Sequence, residues 1–516
     1  MSQLVEARIE ELHAVRKNLS QMELKIALCY PNVYRVGMAS LAIQLIYRLW
    51  NSYETIACER SFLPLKKIVE PYTLESDRPL REMDIIAFTM QYETDFTNIL
   101  DIIARSHIPL ESKDRDDNHP LILAGGPCAQ ANPVPMAPYI DAFMLGDLES
   151  VNNQLIEEAL LPHKTRSAQL AALDSFPWIW VPNLNNDKPV HLAPRGNLDD
   201  YFYPIEQIIQ QVEFDEPFHG VFGKSFLLEV VRGCNRGCAF CLTGKLNRPR
   251  RNRSLSKLQE ISQEGVQTCE VEKITTIGAG ISDYPYLEEL CQNFVSNNLT
   301  FSLPSLRADT LTDDLVQSLV QANQRTITTA PEAGTERLRQ EICKGVTDAE
   351  IIHFVQTAAA GGLSKIKAYF ILGLPGEEQE DIEGIVRLAE KMVRAGKTIR
   401  DINFSAGFFV PKPRTLLQDA SLFSLKDLRG KQKFLQKSLA KISRVTSEFF
   451  DPRWARIQAI LSTGGEEISF PLKLAAKFGG GLGDWRRALN ECDLAIDKVV
   501  EEREYQKEHP WDFIEL

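Results

Sequence analysis

From residue 22 to about 150, short apolar runs alternate with segments of helical spacing. The runs 24–31 (LKIALCYP), 83–91 (MDIIAFTMQ), 120–127 (PLILAGGP) and 140–147 (IDAFMLGD) are strand-length, whereas 40–51 and 96–106 repeat apolar residues every three to four positions. Such alternation predicts an α/β domain built on a doubly wound parallel sheet, flavodoxin-like, here placed at 21–162. Ligands of these sheets bind beyond the carboxyl ends of the strands. Those ends carry Pro31-Asn32, Thr89-Met90-Gln91, Ala124-Gly125-Gly126-Pro127 and Gly146-Asp147-Leu148-Glu149. Residues 1–20 are polar with helical spacing and read as a leading amphipathic helix, neither a signal peptide nor an anchor.

A Pro- and Asn-rich segment, 163–220, reads as a connector that packs through Trp178 and Trp180. A second alternating region, 221–450, starts with SFLLEVV at 225–231. It continues through strand-like runs at 272–280, 299–309, 326–334, 365–377 and 401–413, with helical stretches between. Six strand-helix units predict a partial (β/α)6 barrel with its site at the strand C-termini. The remainder, 451–516, reads as a helical C-terminal region with a glycine-rich turn at 478–483.

The length of 516 residues suits several domains, and 44% hydrophobic with 25% charged residues excludes disordered and fibrous chains. A net charge of −12 argues against general affinity for nucleic acid. With no long apolar stretch, the expectation is a cytoplasmic protein without a membrane partner.

The ten cysteines change the picture. Seven are scattered (Cys29, Cys58, Cys128, Cys269, Cys291, Cys343, Cys492) and read as packing residues, but Cys234, Cys238 and Cys241 form a Cys-x3-Cys-x2-Cys run flanked by Gly233 and Gly237. Three thiolates on one loop can ligate three irons of a [4Fe–4S] cluster and leave the fourth open to a chelating small molecule. Structural zinc is the rival, yet it needs a fourth ligand and none is near in sequence. Behind the loop, 245–253 holds five positive charges, which serve either as a solvated loop or as an anion site.

This cysteine loop after the first strand of a partial barrel resembles the radical S-adenosylmethionine (SAM) superfamily. The resemblance implies that SAM chelates the open iron and is cleaved by an electron from the cluster, giving a 5′-deoxyadenosyl radical. It also implies a low-potential donor such as flavodoxin or ferredoxin. Gly373-Leu374-Pro375, within 365–377, is similar to the fifth-strand motif beside the adenine. Glu332 resembles the fourth-strand acid near the ribose and sulfonium. Arg307 is placed at the SAM carboxylate or in an ion pair with Asp309 or Glu332. Phe240 shields the cluster or adenine, or fills the core.

A parallel sheet directly before such a barrel is similar to the cobalamin domain of radical SAM methylases, in a subgroup of largely unassigned function. Where that family has Asp-x-His-x-x-Gly, this chain has Asn32, Tyr34 and Gly37, so the resemblance implies cobalamin bound base-off without histidine ligation. Thr89, Gly125, Gly126 and Glu149 fall where the family contacts the corrin or its nucleotide tail. The expected function is methyl transfer to an unactivated carbon. The alternatives are radical rearrangement, cyclisation or methylthiolation over a vestigial cobalamin domain, or an iron–sulfur redox or sensor protein without turnover. A second cluster on Cys29, Cys58 and Cys128 is disfavoured by their wide spread.

Overall fold

A computed structural model describes residues 9–64, 69–161, 165–184, 189–211 and 220–516. The first sheet comprises β1 (Leu24–Tyr30), β2 (Ile56–Phe62), β3 (Ile85–Thr89), β4 (Leu121–Gly125), β5 (Ala142–Met144) and β6 (Ile179–Trp180). Its order is β2-β1-β3-β4-β5-β6, with β1 to β5 parallel and β6 antiparallel. This is the doubly wound order with its switch point between β1 and β3. The apolar runs become strands because both faces are covered and alternation is unnecessary.

β2 escapes the apolar pattern, since Ile56–Phe62 reads IACERSF yet every residue is buried. Arg60 has no exposed side-chain surface and pairs with Glu11 at 2.6 Å and Glu75 at 2.7 Å. The same pairing corrects the leading helix. Residues 1–8 lie outside the described residues, and Glu11–Leu12 is a short strand antiparallel to Ile209–Gln210. Glu11 thereby reaches Arg60 and the hydroxyl of Tyr34. A carboxylate that neutralises a buried arginine outweighs the local helical spacing.

The barrel strands are β7 (Phe226–Arg232), β8 (Lys273–Gly278), β9 (Thr300–Ser302), β10 (Thr326–Glu332), β11 (Lys365–Leu372), β12 (Asp401–Phe408) and β13 (Val445–Phe449). They run parallel in two sheets, β7-β8-β9 and β10-β11-β12-β13, and a parallel bridge between Leu306 and Thr329 joins the two. The partial barrel therefore carries one parallel strand more than the six predicted. β13 lacks an apolar run because none of its residues is buried: Val445, Ser447 and Phe449 are half-buried, and Thr446 and Glu448 are exposed.

The C-terminal region is not a free tail. Helices Pro452–Thr463, Ser469–Phe478 and Leu482–Glu491 share a core with Phe96, Ile99, Met136 and Phe143, and so roof one face of the first sheet. Ile514–Glu515 pairs with Val190–His191. The connector also joins this domain: Trp178 stacks on Phe176, and Trp180 packs between Phe143 and Phe513.

Candidate active site and the adjoining cavity

The cysteine loop leaves β7 at Arg232. Gly233 has φ +89°, and a Cβ there would lie 2.1 Å from the carbonyl of Asn247, so only glycine lets the loop close. Cys234, Cys238 and Cys241 are all half-buried. Burial pushes the free thiols of Cys238 and Cys241 up, opposed by Lys344 at Cys238 and by backbone N–H groups of Gly244 and Thr243 at Cys241. Cys234 Sγ lies against Gly280, two residues beyond the end of β8. Three thiols on one partly buried loop, with amide donors at a sulfur, suit a cubane in which each thiolate takes its own iron. Among the described residues, no three His, Cys, Asp or Glu side chains gather around one point as a single metal ion requires.

Glu332 ends β10 with φ +69°, an uncommon conformation for a side chain without special turn chemistry. Its carboxylate is 3.0 Å from Lys344 Nζ. Burial raises it above the ordinary glutamate value against the pull of Lys344. Arg307 is committed to Asp309, at 2.9 and 3.0 Å, and to the carbonyl of Lys344 at 3.1 Å. Of the two ion pairs read for Arg307, the one with Asp309 is formed, and its Nη1 takes no part in these hydrogen bonds. Lys344 is a cation of this site that the sequence did not reveal; its only signal is a basic residue in the turn after a short helix.

Phe240 packs beside Leu374, Leu338 and Phe409 in a small apolar cluster, and Ala239 N–H bonds the carbonyl of Ile342 at 2.9 Å. At the end of β11, Gly373 N–H donates to Glu377 at 2.8 Å, and Glu377 pairs with Lys431 at 2.6 Å. The Gly373-Leu374-Pro375 turn is thus held from below by its own glutamate. The sequence motifs of 234–241, 332 and 373–375 meet at the C-terminal ends of the barrel strands.

The first domain contains a cavity of about 470 Å³ at the ends of β1, β3, β4 and β5. Its inner wall is apolar, with Leu28, Leu45, Trp50, Leu123 and Leu155, and its mouth reaches Glu229, Arg232 and Ile277 of the barrel. Thr89, Gly125, Gly126 and Glu149 all line it. Thr89 Oγ1 is buried without a hydrogen-bond partner. Gly126 has φ +107°, and a Cβ there would sit 2.9 Å from the carbonyl of Met90.

Asn32, Tyr34 and Gly37 are not brought to the cavity. Asn32 donates to Asp95 at 3.0 Å, Tyr34 donates to Glu11 at 2.6 Å, and Gly37 packs under the ring of Phe62. The contacts of all three lie inside the domain.

Part of the basic run is engaged by carboxylates, while Arg250 Nη2, Arg251 Nε and Nη2 and Arg253 Nε are buried without hydrogen-bond partners. Arg251 meets Asp147 at 2.6 Å, Arg253 is fully buried beside Glu229, and Arg250 faces Asp283. The scattered cysteines divide as well. Cys29 and Cys128 belong to the core on one face of the first sheet and Cys58 to that on the other, so the three share no common ligand site. Cys269 and Cys291 are buried in the barrel core, whereas Cys343 is exposed and Cys492 half-exposed rather than packed.

Comparison with known proteins identifies the family. Residues 42–182 match the family model of radical SAM N-terminal regions, and residues 228–389 match that of the radical SAM superfamily. An uncharacterized protein of Methanocaldococcus jannaschii is 33% identical over 87% of this chain and 90% of its own length. The chain belongs to the radical SAM superfamily.

A second relative, named as an uncharacterized methyltransferase of Pyrococcus horikoshii, is 22% identical over 53% of this chain and 58% of its own. Among solved structures, the radical SAM methyltransferase TsrM from Kitasatospora setae, with cobalamin and a [4Fe–4S] cluster bound, superposes with a TM-score of 0.53. That match covers 77% of this radical SAM protein and 74% of TsrM at 14% identity, a likeness of fold. As a superfamily member the protein uses SAM and a [4Fe–4S] cluster and needs a reductant. No helix among the described residues is long and apolar enough to cross a membrane.

Proposed function

We propose that this protein is a cobalamin-dependent radical SAM methyltransferase acting on an unactivated carbon, in the cytoplasm, with flavodoxin or ferredoxin as electron donor. When bound, the cluster would supply the electron that splits SAM, and the corrinoid would supply the methyl group. Cys234, Cys238 and Cys241 would hold the cluster. Glu332, Phe240 and the Gly373-Leu374-Pro375 turn would line the SAM site. Glu332 sets a negative charge where a sulfonium needs one, with Lys344 limiting its cost. Lys344 and Nη1 of Arg307, both beside Cys238, would serve as cations for a carboxylate. The packed residues around Phe240 would keep water from a reactive carbon radical.

The observation that carries the corrinoid is the cavity, which Thr89, Gly125, Gly126 and Glu149 line. Its apolar inner half suits a flat aromatic base, and its mouth faces the strand end that leads into the cysteine loop. The absence of a histidine from the lining agrees with base-off binding without protein ligation. The second reading, a corrin-free enzyme with a scaffold domain, is favoured by the commitment of Asn32, Tyr34 and Gly37 to internal packing.

Anaerobically reconstituted protein with SAM and dithionite tests both. Production of 5′-deoxyadenosine, lost in Cys234→Ala, Cys238→Ala and Cys241→Ala, is expected. An intact cluster that never cleaves SAM would leave only a redox or sensor role. Hydroxocobalamin titration followed by absorbance decides the corrinoid: an unchanged spectrum at saturation selects the scaffold reading.

A further inference from the structure

We infer that Arg232 is a positioning residue that registers the cavity of the first domain against the cysteine loop, so that occupancy of one is felt at the other. The inference rests on the proposed cluster and corrinoid sites. Arg232 is the last residue of β7, two positions before Cys234. Its guanidinium donates to Glu229 at 2.8 and 2.9 Å and to Glu149 at 2.8 Å, and it faces Asp147 at 3.1 Å. Asp147 and Glu149 come from the first domain, Glu229 and Arg232 from the barrel, and all four line the cavity mouth. One planar, rigid fork therefore ties the wall of one site to the root of the other.

Neither end of this link can yield locally. On the loop side, Gly233 is closed against Asn247, and Arg251, which pairs with Asp147, lies opposite Arg232 on a two-residue antiparallel ladder. On the cavity side, the turn at Gly146 is wedged against Ala193, where a Cβ would come within 2.5 Å of the backbone nitrogen. A corrinoid carries amide side chains that donate hydrogen bonds. An amide that takes an oxygen of Asp147 or Glu149 draws that carboxylate from Arg232, and the shift passes along the backbone to Cys234. Binding coupling of this kind is reciprocal.

The test uses the reconstituted full chain, hydroxocobalamin and SAM. In the wild type, saturating hydroxocobalamin is expected to shift the EPR spectrum of the reduced cluster and to change the SAM dissociation constant by about fivefold or more. In Arg232→Met, read at hydroxocobalamin and SAM concentrations that saturate the variant, both effects vanish; Arg232→Lys keeps part of them. Glu149→Gln, which leaves Arg232 paired with Glu229 and Asp147, weakens the same coupling and serves if Arg232→Met does not fold. Full coupling in these variants, or a wild type that binds both ligands without coupling, overturns the inference. A wild type that takes up no hydroxocobalamin refutes the corrinoid function itself, a result visible in the absorbance titration before any coupling is read.

Discussion

Removing the cation of the Glu93–Lys412 pair reports on how the two domains and the C-terminal helices are joined. Glu93, in the loop after β3, is 4% exposed. Its carboxylate accepts from Lys412 Nζ at 2.5 Å, beyond β12, and from Gln458 Nε2 at 2.8 Å, on helix Pro452–Thr463. Unit charges 2.5 Å apart attract by roughly 7 kcal/mol at an effective dielectric near 20, before desolvation is subtracted. Truncating one partner of such a buried pair costs about 3–5 kcal/mol, because the remaining charge is stranded. Lys412→Met is therefore expected to destabilise the chain by about that amount. Glu93→Gln with Lys412→Met should recover most of the loss, since no charge remains to be buried.

The pH slope supplies a second reading of the same pair. Burial pushes Glu93 up, but Lys412 and Gln458 hold it below its ordinary value. The folded state then binds fewer protons than the unfolded one, so this contribution is present above the unfolded pKa of about 4.3 and is lost as the pH falls. In Lys412→Met only burial and one amide remain. The carboxyl is then raised, and the contribution falls as pH rises through the same region. Urea unfolding between pH 4 and 8, followed by tryptophan fluorescence and by far-ultraviolet circular dichroism, measures both. A loss below about 1 kcal/mol, or a slope of unchanged sign, would refute the argument.

Asp95 offers a simpler titration: burial raises its pKa from 3.8 to about 6, although Asn32 and Asn98 donate to it. The folded protein takes up a proton there, so stability declines as pH rises from about 4 to 6, by up to roughly 3 kcal/mol. Asp95→Asn should raise the melting temperature at pH 7 more than at pH 4.5; a pH-independent difference counts against it. Gly233→Ala places a Cβ into the carbonyl of Asn247, and the variant is expected to lose most of its reconstitutable iron, measured by ferrozine, while its circular dichroism is unchanged. Trp485, 1% exposed, sits in the core between the C-terminal helices and the first sheet. Trp485→Ala should cost about 3–5 kcal/mol in chemical denaturation, whereas a dispensable tail would give no change.

The chemistry of the cluster loop was legible in the chain itself. Cys-x3-Cys-x2-Cys with glycines at 233 and 237 carries its meaning in spacing, because ligands to one cluster on one loop must be near in sequence. The parallel strands were legible for a related reason: a strand covered on both faces is a continuous apolar run, as in β1, β3 and β4. Where charge is buried, that signal fails. β2 holds Glu59 and Arg60 in a strand with no exposed residue, and only Glu11 and Glu75, distant in sequence, make this tolerable.

By itself, then, the sequence determined two α/β units, the cysteine triplet and the order of motifs behind it, all set by short-range periodicity and spacing. Tertiary structure alone decided which polar residues are free to meet a ligand. Asn32 and Tyr34 stand at a strand end, as a ligand motif would, yet their partners are internal, while Thr89, the last residue of β3, lines the cavity. Arg251 and Arg253 of the basic run became ion-paired once Asp147 and Glu229 were brought beside them, and helices within 451–516 became the roof of a sheet hundreds of residues earlier. Pairing of charges and covering of apolar faces are satisfied through space, so residue spacing along the chain does not specify them.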